Sequence, residues 1–161
     1  MRKSIFLLVM LWGMATAISA TGRVDIFSSF RVSPLLPELC ENTVLRSNSA
    51  VVFYLDSLSD NSKKSVLGYS YTVRKTVRDF RYDRLASHIL SKDTFIKTDN
   101  SVLAPFVPQV AVKVGSGDSS VLFLFSFGNS TVRIFSGDCQ IDEFLLADTH
   151  TIKSLFKLFL Q

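Results

Sequence analysis

Histidine is nearly missing from this chain: His88 and His150 are the only two in 161 residues. That scarcity excludes much chemistry, because a catalytic or metal-binding imidazole needs a second group to orient it. Asp148 lies only two residues from His150, on a different side of a helix, so both histidines read as surface positions on helices. The chain also has no H-E-x-x-H, no C-x-x-C and no G-x-S-x-G. These gaps remove the commonest zinc peptidase, dithiol and nucleophile-elbow arrangements. No residue is assigned a catalytic, cofactor-binding or metal-binding role. No apolar run reaches the roughly 20 residues that span a hydrocarbon core.

What is present begins with an address. The opening MRKSIFLLVMLWGMATAISA sets Arg2 and Lys3 before an apolar run, Ile5 to Met14, of about ten residues. Ala15-Thr16-Ala17 and Ile18-Ser19-Ala20 then offer small-x-small cleavage sites. Residues 1–20 read as a signal peptide, so the mature chain is expected to start at Ile18 or Thr21 and to be exported, periplasmic or secreted. The full chain carries 18 Lys plus Arg against 14 Asp plus Glu, a net +4. Losing Arg2 and Lys3 leaves 16 against 14, a net +2. So small a surplus does not suggest a nucleic-acid binder.

The remaining residues suffice for one domain that buries roughly two thirds of its surface. Cys40 and Cys139 would close a loop of about 100 residues in an oxidising compartment, worth about 4–5 kcal/mol in the chain-entropy model. Two free thiols are the other outcome.

Residues 21–49 contain Pro34 and Pro37 and no sustained period, so they read as an irregular or extended arm. Residues 50–161 read as a single α+β domain. Within it, Ala50 to Asp56 (AVVFYLD) is a β-branched and aromatic strand. After the polar loop SLSDNSKKS, Leu67 to Val77 alternates like a half-exposed strand, and the two fit a hairpin. Asp79 to Ser91 changes to helical period, with Tyr82, Leu85, Ala86 and Ile89 on one face and Arg81, Arg84 and His88 on another. Pro105 and Pro108 hold the next segment extended. Gln109–Val114, Ser119–Phe127 and Ser130–Phe135 then form a meander, with breaks at G-S-G-D and Gly128-Asn129 that have hairpin-turn chemistry. Its middle strand is apolar on both faces and needs two covers. Asp148 is a plausible N-cap for a last helix, through Leu160, whose stripe is Ile152, Leu155, Phe156, Phe159 and Leu160, with His150, Lys153 and Lys157 beside it. The expected fold is an antiparallel sheet in β-β-α-β-β-β-α order, with both amphipathic helices packed on one face.

The densest polar signal is YSYTVRKTVRDFRYDR, Tyr69 to Arg84. Arg74, Lys75, Arg78, Arg81 and Arg84, interleaved with four aromatics, would suit an anionic ligand. Asp79 and Asp83 dilute the charge, and a solvated strand edge and helix face explain the pattern better. Ser116 in G-S-G-D belongs to a turn rather than an elbow. Asp142-Glu143 is an adjacent acidic pair whose side chains diverge. Asn129-Ser130-Thr131 is a glycosylation triplet only in a eukaryotic secretory pathway.

The strand Val52 to Asp56, the pair Gly68-Tyr69 and the segment PFVPQVA (Pro105 to Ala111) resemble small exported, uncharacterised proteins of Bacteroidota. Cysteines that the group often places before P-F-x-P and at the end of the second meander strand are replaced here by Ala104 and about Asn129, so the cross-link they imply is absent. The resemblance implies export and no particular activity.

The expectation is therefore an exported, non-catalytic binding or structural protein, acting on a protein partner or an envelope component and needing no cofactor, nucleic acid or membrane span. A small exported hydrolase with unassigned catalytic residues is the alternative. A carboxylate and a hydroxyl within hydrogen-bond reach of either histidine, in a cleft, would favour it.

Overall fold

The computed structural model describes residues 33–56, 64–97 and 105–161. The predicted signal peptide and its cleavage point, the arm up to residue 32 and most of the polar loop after the first strand lie outside them. An antiparallel sheet carries the fold, and helices pack against it, so the α+β class expected from the sequence is the one observed.

The element order differs from the expected one. Among the described residues it opens with a helix, α1 (Glu38–Arg46), inside the segment read as an irregular arm. Pro37 sits at its N-cap, a place where proline's fixed φ does not oppose a helix, and Cys40 and Val44, four apart, supply the buried contacts. Strand β1 (Ser49–Leu55) follows, then the short β2 (Ser65–Val66) and the long β3 (Tyr69–Arg78). Leu67 and Gly68, read as the start of a strand, form the two-residue turn between β2 and β3, both with positive φ (47° and 79°). No loop separates β3 from α2 (Asp79–Leu90). The chain turns there on Asp79, whose φ of 51° is left-handed, a conformation aspartate tolerates better than most residues.

After β4 (Phe95–Ile96), the meander comprises β5 (Val110–Val114), β6 (Val121–Ser126), β7 (Thr131–Ser136) and a fourth strand, β8 (Cys139–Leu146). Gly137-Asp138, with Gly137 at φ 58°, makes the tight turn between β7 and β8. The two expected turns are longer than two residues. Residues 115–120 contain a 3-10 turn at Gly117–Ser119, and in the loop after β6 it is Ser130, not Gly128, that is left-handed. Helix α3 (Thr149–Leu160) is capped by the Asp148 carboxylate, which accepts from the Thr151 N–H. Across the sheet the order is β2-β3-β1-β5-β6-β7-β8-β4, every pair antiparallel.

The register sorts the side chains. Tyr54, Val110 and Phe125 stand in one row, as do Val52, Val112 and Phe123. Phe156 of α3 packs on that surface, its ring 5.2 Å from that of Phe125, and the Tyr54 hydroxyl donates to the Phe156 carbonyl at 2.6 Å. Helix α2 touches both α1 and α3, and the buried Tyr82 hydroxyl donates to the Val44 carbonyl at 2.6 Å. The opposite surface holds a second core of Phe53, Ala111, Leu122 and Leu124. Its covers are the β2–β3 turn with Leu67, Tyr69 and Tyr71, and the segment before β5 with Phe106. With Phe156 on one surface and this second core on the other, all six residues of β6 are buried.

Candidate functional site

A cavity opens where α3 crosses the ends of β1, β5 and β6, with a volume of about 380 Å³. Its floor is apolar, made by Val110, Phe127, Phe156 and Leu160, and its polar groups are Tyr54, Gln109, Lys153 and Lys157. Each is placed by the fold. Gln109 continues two ladders, its N–H donating to the Phe125 carbonyl and its carbonyl accepting from Leu55, both at 2.9 Å. Its side-chain Oε1 accepts from the Phe127 N–H at 2.7 Å. That bond fixes the amide, leaving Nε2 as its unmated donor among the described residues. Tyr54 is held by its bond to α3, and burial pushes its pKa up to about 12, so the hydroxyl stays neutral. Lys153 and Lys157 are exposed, one turn apart, and pair with no carboxylate among the described residues. Among the described residues no Asp or Glu lines the cavity.

His88 lines a smaller cavity, about 220 Å³, with Ser91, Asp93, Thr94, Asp148 and Thr151. The types are those of an acid–base site, but the bonds are not. Thr94 Oγ1 donates to the His88 carbonyl, Thr151 Oγ1 donates to the Asp148 carboxylate, and Ser91 Oγ accepts from the Asp93 N–H. The His88 ring bonds to no carboxylate or hydroxyl among the described residues. Burial first, then the Arg84 guanidinium, hold its pKa below the usual value, with Asp148 opposing them. The neutral ring is favoured in the fold, so a stability penalty develops as pH falls below the unfolded value of about 6.5. The bond from the Thr151 hydroxyl, with that from its N–H, holds the Asp148 carboxyl below its usual range. His150 is exposed.

The five basic residues do not form one surface. Arg74 and Arg78 pair with Phe53 and Ser49, and the Arg74 guanidinium lies 6.0 Å from the Phe53 ring centroid, over the second core. Lys75 pairs with Val52 and so belongs to the opposite side of the sheet. Arg81 and Arg84 are on the exposed side of α2. From Arg74 to Arg78, β3 is paired among the described residues on one side only, by β1. Charged side chains on such an edge oppose the addition of a foreign strand.

Cys40 and Cys139 are not cross-linked. Both thiols are free, Cys40 fully buried on α1 and Cys139 exposed beside the Gly137-Asp138 turn. Burial, with the Asp142 charge, pushes the Cys40 thiol up to about 12, so it is not a thiolate at neutral pH. Ellman's reagent should therefore titrate one thiol per native chain quickly and the second only after denaturation. Two thiols that react only after reduction would restore the cross-link.

The remaining motifs are committed to structure. Ser116 precedes the 3-10 turn, with no helix behind it. Asp142 Oδ1 accepts from the Glu143 N–H at 2.8 Å, and Glu143 Oε2 accepts from Arg133 Nε at 2.7 Å. The Arg133 guanidinium in turn lies 4.1 Å from the centroid of the Phe106 ring. Among the described residues no three His, Cys, Asp or Glu side chains gather as a metal set. The Asn129 amide turns inward, Nδ2 donating to the Pro105 carbonyl at 3.4 Å.

Sequence reasoning missed the cavity beneath α3. Lys153 and Lys157 were legible only as the polar flank of the last helix. Nothing local marks Gln109 or Tyr54, which meet those lysines through topology alone. No family model, curated protein or solved structure matches the chain.

Proposed function

We propose that this chain is an exported, non-catalytic binding protein whose working site is the cavity beneath α3. One observation carries the reading: a concave apolar floor ringed by a few converging polar groups, which is the usual build of a small-molecule site. The cavity holds no carboxylate–imidazole or hydroxyl–imidazole pair. The groups around His88 that would supply one are bonded elsewhere, which weighs against the hydrolase alternative. Export rests on Arg2, Lys3 and the apolar run behind them, and no helix among the described residues is long and apolar enough to cross a membrane.

The test uses a plug. Gly128 lines the cavity, a Cβ there would meet nothing within 4 Å, and its φ is not left-handed. Gly128→Phe should therefore fold normally while filling the mouth. Ligand-observed NMR against a mixed set of small anions, cations and neutral compounds is expected to find binders whose signals the plug removes. An empty screen, or binding indifferent to the plug, would end this reading. Ester hydrolysis lost in His88→Gln would revive the alternative.

A further inference from the structure

The arrangement of donors in the cavity goes further than binding in general, and it rests on the binding reading just given. Counting atoms decides the sign of the ligand. The Gln109 Oε1 acceptor is used by the Phe127 N–H, and the Phe156 carbonyl is used by the Tyr54 hydroxyl. Of the side-chain groups that line the cavity among the described residues, those left for a ligand are Gln109 Nε2 and the ammonium groups of Lys153 and Lys157, all donors, against one neutral acceptor, the Tyr54 oxygen.

The lysines are four residues apart on α3, so their stems leave the same side of the helix with Cβ atoms about 5–6 Å from each other. Both ammonium groups can reach one head group. Lys157 lies in the last turn of α3, where it also offsets the negative end of the helix dipole. Lys153, a turn earlier, has no such duty. A cation would be repelled by this rim. A neutral amphiphile could accept from these donors as well, but charge-assisted bonds to an anion are about twice as strong as neutral ones.

The other half of the cavity asks for hydrocarbon. Phe156 is buried, whereas Leu160 remains 44% exposed at the edge, and Phe127 is half-buried between them. An apolar body laid there would cover both exposed side chains without displacing a bonded group. We infer that the cavity takes a free, single-chain amphipathic carboxylate, its chain on Phe127, Phe156 and Leu160 and its head between Lys153, Lys157 and Gln109 Nε2.

Dodecanoate, kept below its micelle-forming concentration, is the probe, titrated into the exported protein by calorimetry at low salt. Binding is expected, with NMR shifts confined to the α3 end and the loop after β6. Gly128→Phe should abolish it. The double change Lys153→Gln, Lys157→Gln should weaken it at least about tenfold while lowering the melting temperature only slightly, and replacing the probe by dodecanol should weaken binding as much. Dodecanol or dodecyltrimethylammonium binding as well as dodecanoate, with the plug still blocking, would overturn the carboxylate assignment and leave the binding reading intact. So would dodecyl phosphate binding where dodecanoate does not. Lysine-dependent sedimentation with phosphatidylglycerol vesicles, without dodecanoate binding, would replace the free ligand by a membrane surface. If no probe binds and the mixed screen is also empty, both readings fall.

Discussion

Phe125→Ala is expected to cost about 3–5 kcal/mol of folding stability, enough to leave the chain largely unfolded if its reserve is at the low end of the usual ~5–15 kcal/mol. The side chain is 1% exposed and central to a stack of rings. Phe123 and Phe127 lie 6.5 and 6.4 Å away by ring centroid, and Phe156 of α3 lies 5.2 Å away. Val110 and Val132 flank it in the ladders on either side. Removal would therefore open a cavity between sheet and helix with no flexible neighbour to fill it. A urea titration read by circular dichroism measures the loss. Phe127→Ala, half-buried at the strand end, should cost clearly less. A Phe125→Ala loss below about 1 kcal/mol would mean that α3 does not sit on β6.

Gly115→Ala is expected to cost about 2–4 kcal/mol through two separate effects. The backbone there has φ +82°, a region in which an L side chain pays roughly 1–2 kcal/mol. The added Cβ would also stand 2.9 Å from Thr43 Cγ2 and 3.1 Å from the Ser119 carbonyl oxygen, and packed groups yield to such contacts at a cost of about 1–3 kcal/mol. Thr43 belongs to α1, and its hydroxyl donates to the same Ser119 carbonyl at 3.4 Å. Thr43→Ser removes Cγ2 while keeping the hydroxyl, so it separates the two effects. In that background Gly115→Ala should be milder by about 1 kcal/mol, a coupling typical of residues in contact. Strict additivity of the two changes would mean that α1 is not docked on this loop.

Both predictions depend on elements of unequal visibility in the sequence. Helix α2 declares itself because Tyr82, Leu85, Ala86 and Ile89 recur at helical spacing beside a charged face. The meander declares itself through β-branched and aromatic runs. Helix α1 hides because only Cys40 and Val44 of ELCENTVLR are buried, too few to set a period, and the prolines before it suggest a loop. Strand β8 hides for a different reason. Its first five residues are exposed or half-exposed and include Asp142 and Glu143, and it carries a register shift opposite Ile134 and Phe135. Bulges and charges of this kind keep an edge from recruiting other strands, and they erase the alternation by which a strand is recognised. The cavity is less legible still. Tyr54, Gln109 and Lys157 come from three distant parts of the chain, and their meeting follows from strand order, which no local pattern encodes. The basic stretch shows the reverse error: charges adjacent in sequence are parted by the two sides of a strand and by a helix.

The seam between β1 and β5 also bears on how the protein assembles. Residues 50–54 face residues 110–114 there, joining segments about 60 residues apart, whereas β5 to β8 pair through short turns. Contacts that close long loops carry the larger entropic toll and slow folding most. The meander can therefore organise locally while the β1–β3 hairpin and α2 wait to dock. Helix α3, which follows all of these strands in sequence, lies across this join and clasps it through the bond from Tyr54 to Phe156. Fastening the join thus waits on this twelve-residue helix, and a nascent chain in which it has not yet emerged would present an open, unfastened sheet to whatever machinery handles it next.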